Sequence, residues 1–473
     1  LSIGPNYGSL PLTSPEHSLS DPVAESRTLD NFSENFEPAK LETASHDAPV
    51  WVRVGRLFDG NSNHLISPAH LVYDAVTIRY VGMDDASPPA NLLRAGQTEP
   101  DANLPEITVL PMLIEAHAHL FLDGTPVDFE VRRQYLTLSP EKLLAKARNR
   151  WPRILATGVG TVRDAGDKDG VGLHLAAECA EMRGQIATTG TIDSPGAAIH
   201  HQGRYASFMA RPVEEFTSPA ACVADRVARG ANRIKLIATG IINFKAGKVT
   251  APPQMSVDEV RAFVEAATAH GLQSFAHASG TDGIENVIEG GVTTVEHGFF
   301  VTRQQLAKLR DRQIGWVPTF APVQVQIDRA SELGWDDEIT TKLRRIIEGH
   351  SEMLRLASEM GVTIIAGSDA GSCGVPHGLG FLRELELMQM AGMPPIEVLQ
   401  SATGTSAALL GFSEPIGRLA PGCRTRLIFT RHNPTVDVTV LGREKMILFD
   451  GQVIAGSPLE PQTVRMIDTN GQD

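Results

Sequence analysis

Cysteine is scarce in this chain. Its four thiols, Cys179, Cys222, Cys373 and Cys423, lie far apart with no CxxC pair. No disulfide framework is expected, and the thiols read as reduced, in a cytoplasmic setting. Basic residues are in deficit too: 42 Lys and Arg against 56 Asp and Glu give a formal charge of −14, which argues against nucleic acid or an acidic membrane as a partner. No apolar run reaches the length of a membrane span, and the N-terminus lacks the basic-then-apolar pattern of a secretory leader. The chain starts at Leu1 rather than Met, which is compatible with the earlier removal of a leader.

What is present is an ordinary globular composition, 42% hydrophobic and 21% charged. A length of 473 residues exceeds one small core and predicts two or three domains, or one large α/β barrel with an appendage. Residues 1–46 are rich in Ser, Pro, Asn, Glu and Asp without a sustained period. They read as a poorly packed arm and a contact in a homo-oligomer. Alternating β-like runs begin at Val50–Phe58, Ala69–Tyr73 and Ala75–Val81. They return at the far end in Arg426–Thr430, Val436–Leu441, Met446–Phe449 and Gln452–Ala455. One small β-sandwich assembled from both chain ends, 47–106 and 411–473, is the expected outcome.

The centre, 107–410, alternates short apolar runs with amphipathic stretches. Eight candidate strands are Val109–Ile114, Gly160–Arg163, Gln185–Thr189, Arg233–Ala238, Gln273–Ala276, Thr293–Glu296, Gly315–Pro318 and Thr363–Ala366. Ser256–His270 reads as a helix opened by a capping box, Ser256 with Glu259, and Lys342–Met360 as a second helix; Gly271 and Gly361 sit where C-caps belong. Alternating β and α over this length predicts a parallel sheet with helices outside, and eight units fit a TIM-type (β/α)8 barrel.

In such a barrel the chemistry collects at the C-terminal ends of the strands. The first candidate strand runs into His117 and His119, whose i, i+2 spacing aims two imidazoles at one point. The fourth carries Lys235, the fifth ends in His277, the sixth in His297 and the eighth in Asp369. Neutral imidazole and carboxylate are usual ligands of Zn²⁺ and its neighbours. Four histidines and an aspartate suffice for one closed site, or for two metals if something bridges them. A protonated lysine cannot bridge, but the carbamate formed from Lys235 and CO2 is an anionic, bidentate ligand. A snorkelling or salt-bridged lysine is the alternative reading.

These residues carry a resemblance. Pro111–His119, Arg233–Gly240, His277–Gly280 through Gly290–Val292 to Glu296–Gly298, and Gly367–Ala370 resemble the metal-dependent amidohydrolase superfamily. So do Pro376–Gly378, Ala402–Ala407 and Gly417–Gly422. The branch is that of Xaa-Pro dipeptidases (prolidases), imidazolonepropionase-like proteins and ochratoxinase, and the likeness covers nearly the whole chain after Val50. It implies that His117 and His119 hold a more buried metal and His277 and His297 a more exposed one. Carboxylated Lys235 would bridge them, and Asp369 would complete the first site. The metals are expected to be two divalent ions, Zn first, with Co or Mn the other choices. Met112 and Glu115 stand where the family usually has Gly and Asp, and Thr425-Arg426 replaces a common Ala-Asp; none of these removes a ligand.

The implied activity is hydrolysis of an amide C–N bond of a dipeptide or N-acyl amino acid by a metal-bridging hydroxide, with Asp369 as ligand and proton shuttle. The polar loop Ala197–Tyr205 supplies substrate-binding candidates. His200 or His201 would polarise the scissile carbonyl, with His201 taken as catalytic, and Arg204 would grip a carboxylate beside Tyr205. Two alternatives stand: hydrolysis of a xenobiotic amide, urea, carbamate or thiocarbamate on the same site, which a missing carboxylate clamp would favour, and a mononuclear deaminase or cyclic-amide hydrolase.

Overall fold

Proline and polar punctuation decide where the first strands break. In the computed structural model, which describes residues 40–43, 47–83, 87–182 and 189–454, the expected strand Val109–Ile114 is two strands. Ala102–Pro111 ends on the proline, and Leu113–Ala118 starts after Met112. Pro111 has no N–H to continue a ladder. Met112 N instead donates to Arg426 O at 2.9 Å, and the chain crosses from one sheet into another.

The upstream half belongs to a seven-stranded sheet drawn from both chain ends. Its order is Gln452–Ile454, Lys445–Phe449, Arg426–Thr430, Ala102–Pro111, Val50–Leu57, Ala69–Tyr73 and Ile78–Met83. All neighbours are antiparallel except Val50–Leu57 with Ala102–Pro111, which run parallel from Val52↔Ala102. The end of the expected arm is tied to this sheet: Leu41 is buried, and its carbonyl accepts from Tyr73 OH at 2.8 Å. The remainder of the arm lies outside the described residues. Val436–Leu441, expected as a strand, is instead a 3-10 turn at Val438–Gly442. Asp437 accepts from Thr439 N at 3.1 Å and Thr439 Oγ1 at 2.7 Å, a local bond that competes with the ladder.

The downstream half opens a set of parallel strands. Leu113–Ala118, Val159–Asp164 and Thr191–Asp193 form one parallel sheet. A second runs Gly315–Val317, Thr294–His297, Gln273–Ala278, Arg233–Ile237, Ala198–His200 and Ala210–Pro212. Parallel strands follow at Thr191–Asp193 and Ala198–His200, while most of the expected strand Gln185–Thr189 lies outside the described residues. The segment 363–370 joins the two sheets. Trp316 N donates to Thr363 O, Ile365 N to Trp316 O, Ala116 N to Ala366 O and His119 N to Ala370 O. This is a TIM-barrel-like α/β fold.

Helices between the strands bury their apolar stripes against this frame. Val257–Ala269 carries the expected capping box of Ser256 and Glu259. Asp337–Met360 extends five residues upstream of the expected start because Asp336 caps it, accepting from Ile339 N, and it stops at Gly361 with φ +74°. Trp316, completely buried beneath the strand ends, donates Nε1 to the carbonyl of His297 at 3.0 Å. A core side chain thereby holds the strand end that bears one of the candidate ligands.

Candidate metal centre

Three residues around the centre leave ordinary backbone space. His297 has φ +67°, Thr319 +51° and Asp369 +55°, a left-handed conformation that costs non-glycine residues energy and persists only where surrounding structure enforces it. His297 closes the strand Thr294–His297 and Thr319 follows Gly315–Val317, where the chain must turn sharply.

His117, His119 and Asp369 each place one ligand atom within 4.8 Å of the others. Asp369 Oδ1 lies 3.5 Å from His117 Nε2 and 3.4 Å from His119 Nε2, and its Oδ2 accepts from Ser372 Oγ at 2.8 Å. His297 stands 4.9 Å from His117 by ring centroid, and His277 stands 4.5 Å from His297. The four histidines therefore form a connected row. Their other ring nitrogens are held: His117 Nδ1 by Glu296 Oε2 at 2.5 Å, His119 Nδ1 by Gly166 O at 3.1 Å and His297 Nδ1 by Thr319 Oγ1 at 2.7 Å. His277 Nε2 faces Gly240 O at 3.3 Å.

Burial keeps all four imidazoles neutral at pH 7. It pushes His119 and His277 down to about 3, with the Lys235 charge adding to the effect, and drives His117 and His297 well below the usual histidine range. A neutral imidazole offers a lone pair, as a metal ligand must. Burial also raises the Asp369 carboxyl, against the Ser372 hydrogen bond and the Lys235 charge.

Lys235 is 2% exposed, and its Nζ has no hydrogen-bond partner. It lies 4.7 Å from the centroid of the Phe275 ring. Burial lowers its pKa, and the attraction of Glu296 only partly opposes this. His117 Nε2 is the other buried orphan here. Such groups cost energy unless something pairs them. Two orphaned polar atoms, four neutral imidazoles and a carboxylate are a donor set that fits a divalent cation.

The substrate-binding candidates are distributed differently. His200 is buried, its Nδ1 on Tyr205 O at 3.0 Å, and it lines an open cavity of about 350 Å³ with Lys168, Gln202, Ser207 and Arg211. Tyr205 packs 5.6 Å from the His277 ring. His201 is held elsewhere, its Nδ1 2.7 Å from Glu214 and its Nε2 3.1 Å from Glu259. Arg204 is exposed and donates to Pro252 O at 2.7 Å.

Comparison with known proteins now decides the family. The model described as Amidohydrolase family matches residues 108–454. The chain belongs to the amidohydrolase family. It is similar to a Xaa-Pro dipeptidase solved with bound methionine, at 26% identity and TM-score 0.70, over 86% of this chain and 100% of that one. It shares the fold of the ochratoxinase of A. niger at 22% identity and TM-score 0.69, over 86% and 96%. An uncharacterized protein of Mycobacterium bovis is 25% identical over 308 residues, 64% of this chain and 74% of its own.

Several groups that hold the centre escaped the sequence reading. Glu296 and Arg163 are buried as an ion pair at 2.9 Å, and Thr319 holds His297. Glu115, noted only as a departure, accepts from Ser368 N at 2.9 Å and Ser368 Oγ at 2.6 Å and so ties the Asp369 turn to the first strand. The one available signal was an ionisable residue inside an apolar strand, as in Gly-Thr-Val-Arg-Asp and Thr-Val-Glu-His.

Proposed function

We propose that this amidohydrolase is a metal-dependent C–N hydrolase acting on a dipeptide or N-acyl amino acid. Its centre would be binuclear, in a closed eight-stranded barrel that opens at Leu113, flanked by a β-sandwich from both chain ends. The observation that carries the reading is the buried, partnerless Nζ of Lys235 among four neutral histidines and Asp369. Conversion of that amine to a carbamate by CO2 would replace a costly ammonium with an anionic ligand reaching both halves of the histidine row. His117, His119 and Asp369 would hold one cation, and His277 and His297 the other. Zn is the first choice, with Co or Mn the alternatives.

Divalent cations held there supply Lewis-acid polarisation of a carbonyl and lower the pKa of water toward neutrality. The chain's own groups do the rest. Asp369, beside His117 and His119 and raised by burial, would accept a proton from the attacking water and return it to the leaving nitrogen. Ser372 Oγ keeps the other carboxylate oxygen fixed. Tyr205, 5.6 Å from the His277 ring, and His200, bonded to the Tyr205 carbonyl, would orient the acyl group. The charge of −14 and the four free cysteines support a small-molecule substrate and a reducing, cytoplasmic setting. Among the described residues no helix is long and apolar enough to cross a membrane.

One observation favours the second reading, a carbamate, urea or thiocarbamate as substrate. Arg204, the expected carboxylate clamp, is spent on the Pro252 carbonyl. The test is metal analysis of the purified protein followed by a panel of prolyl dipeptides, N-acyl amino acids and aryl ureas or carbamates. Two bound ions and turnover of the first two classes are expected. Turnover confined to ureas or carbamates would favour the second reading, and a metal-free protein with full activity would overturn both.

A further inference from the structure

The four histidines are held by groups of different charge. His119 and His277 face carbonyls and His297 faces a hydroxyl, all neutral. Of the four, His117 alone has a carboxylate on the ring nitrogen turned away from Asp369, Glu296 Oε2 at 2.5 Å. That carboxylate is completely buried, with Arg163 buried beside it. Arg163 Nη2 donates to both Glu296 oxygens at 2.9 and 3.0 Å, Nη1 to Thr294 Oγ1 at 2.9 Å and Nε to the Ala116 carbonyl at 2.7 Å. The Thr294 hydroxyl donates to Glu296 Oε1 as well. One guanidinium on Val159–Asp164 thus ties the strand of His117 to the strand of His297, and it lies 4.2 Å over the Phe275 ring.

A carboxylate only accepts, so His117 must carry its proton on Nδ1 and leave Nε2 bare. Nε2 is the atom that faces Asp369 and has no other partner. A negative partner also makes the ring a stronger donor than a carbonyl or hydroxyl would. Arg163 explains why the charge can stay buried: a paired, fully hydrogen-bonded carboxylate is tolerated where a lone one is not.

We propose that Arg163 and Glu296 form a positioning pair for His117, in which Glu296 pins the ring proton to Nδ1 and strengthens Nε2 as a metal donor while Arg163 holds the Glu296 carboxylate aimed at the ring. Neither residue touches substrate. The role rests on the metal-centre reading above, and it makes the cation held by His117 the more tightly retained one.

The test uses zinc alone as probe, on full-length protein stripped of metal, by competition with a chromophoric chelator. Glu296→Gln keeps the side-chain shape and removes the charge. It is expected to weaken the first zinc equivalent by about 10–100-fold while the circular dichroism of the metal-free protein stays that of the wild type. A folded Glu296→Gln protein that binds zinc as tightly as the wild type overturns the proposal. The tautomer of His117, read from ¹⁵N ring shifts of the metal-free wild type, decides the matter should Glu296→Gln fail to fold: Nδ1–H supports the pair, and Nε2–H overturns it. Wild-type protein that binds no zinc at all defeats the proposed function, while the tautomer still reports on the pair.

Discussion

Replacing Lys235 with methionine should strengthen the metal-free fold and disable the site at once. The amine is 2% exposed with no hydrogen-bond partner, and burial lowers its pKa despite the attraction of Glu296 and Asp369. A depressed lysine pKa means the charged form is less welcome in the folded chain than in the unfolded one. The penalty is present in full below the folded-state pKa and fades as the pH climbs toward the unfolded value. Methionine has similar length, no charge and a sulfur that packs well against the Phe275 ring. Removing one unpaired buried polar group is worth about 1–3 kcal/mol. The gain should appear as a higher urea midpoint for Lys235→Met at pH 7, measured on chelator-treated protein. The same variant, loaded with zinc, should retain less metal and lose most activity. Lys235→Ala, with more room at that position, should recover part of its activity with a short-chain carboxylic acid. A Lys235→Met midpoint equal to or below that of the wild type would refute the claim that the amine lacks a partner in the metal-free state.

Three further outcomes are expected. Asp369→Asn should lower kcat by about 10²–10⁴-fold, the range for a lost general acid–base group; a smaller loss with metal content intact would leave Asp369 as a ligand only. His350 is buried among Phe299, Trp316 and Phe320, with Nε2 on Pro318 O at 3.0 Å, and burial pushes it down to about 4. The unfolded chain therefore takes up the proton first. Stability should fall by about 3 kcal/mol as the pH drops from about 6.5 to 4, and His350→Gln should flatten that slope in acid-denaturation curves. Arg204→Ala should leave KM for N-acyl amino acids unchanged, since the guanidinium is already engaged by Pro252 O. A large rise in KM would restore Arg204 as the carboxylate clamp.

Local chemistry made much of the frame readable in advance. Apolar runs alternating with capped amphipathic stretches placed Val257–Ala269 and the parallel strands around it, because period and capping act over a few residues. The ligand types were equally open to reading, since imidazoles at strand ends in a β/α alternation point one way. Failures came where a single residue outweighed the period. Pro111 split one strand between two sheets, and Asp437 turned a β-like run into a tight turn.

Strand periodicity states which face a side chain takes, and it is silent about which distant face it will meet. That His117 and Asp369 would share one rim followed from strand ends and the barrel rule. That Glu296 would accept from His117 while Arg163 bound both Glu296 and the Ala116 carbonyl depended on three strands meeting inside the fold. The two chain ends likewise pair through Val109↔Phe429, a contact no local pattern encodes. Sequence alone determined the chemistry available, and tertiary packing decided which group is buried against which, and therefore which atoms are left without a partner.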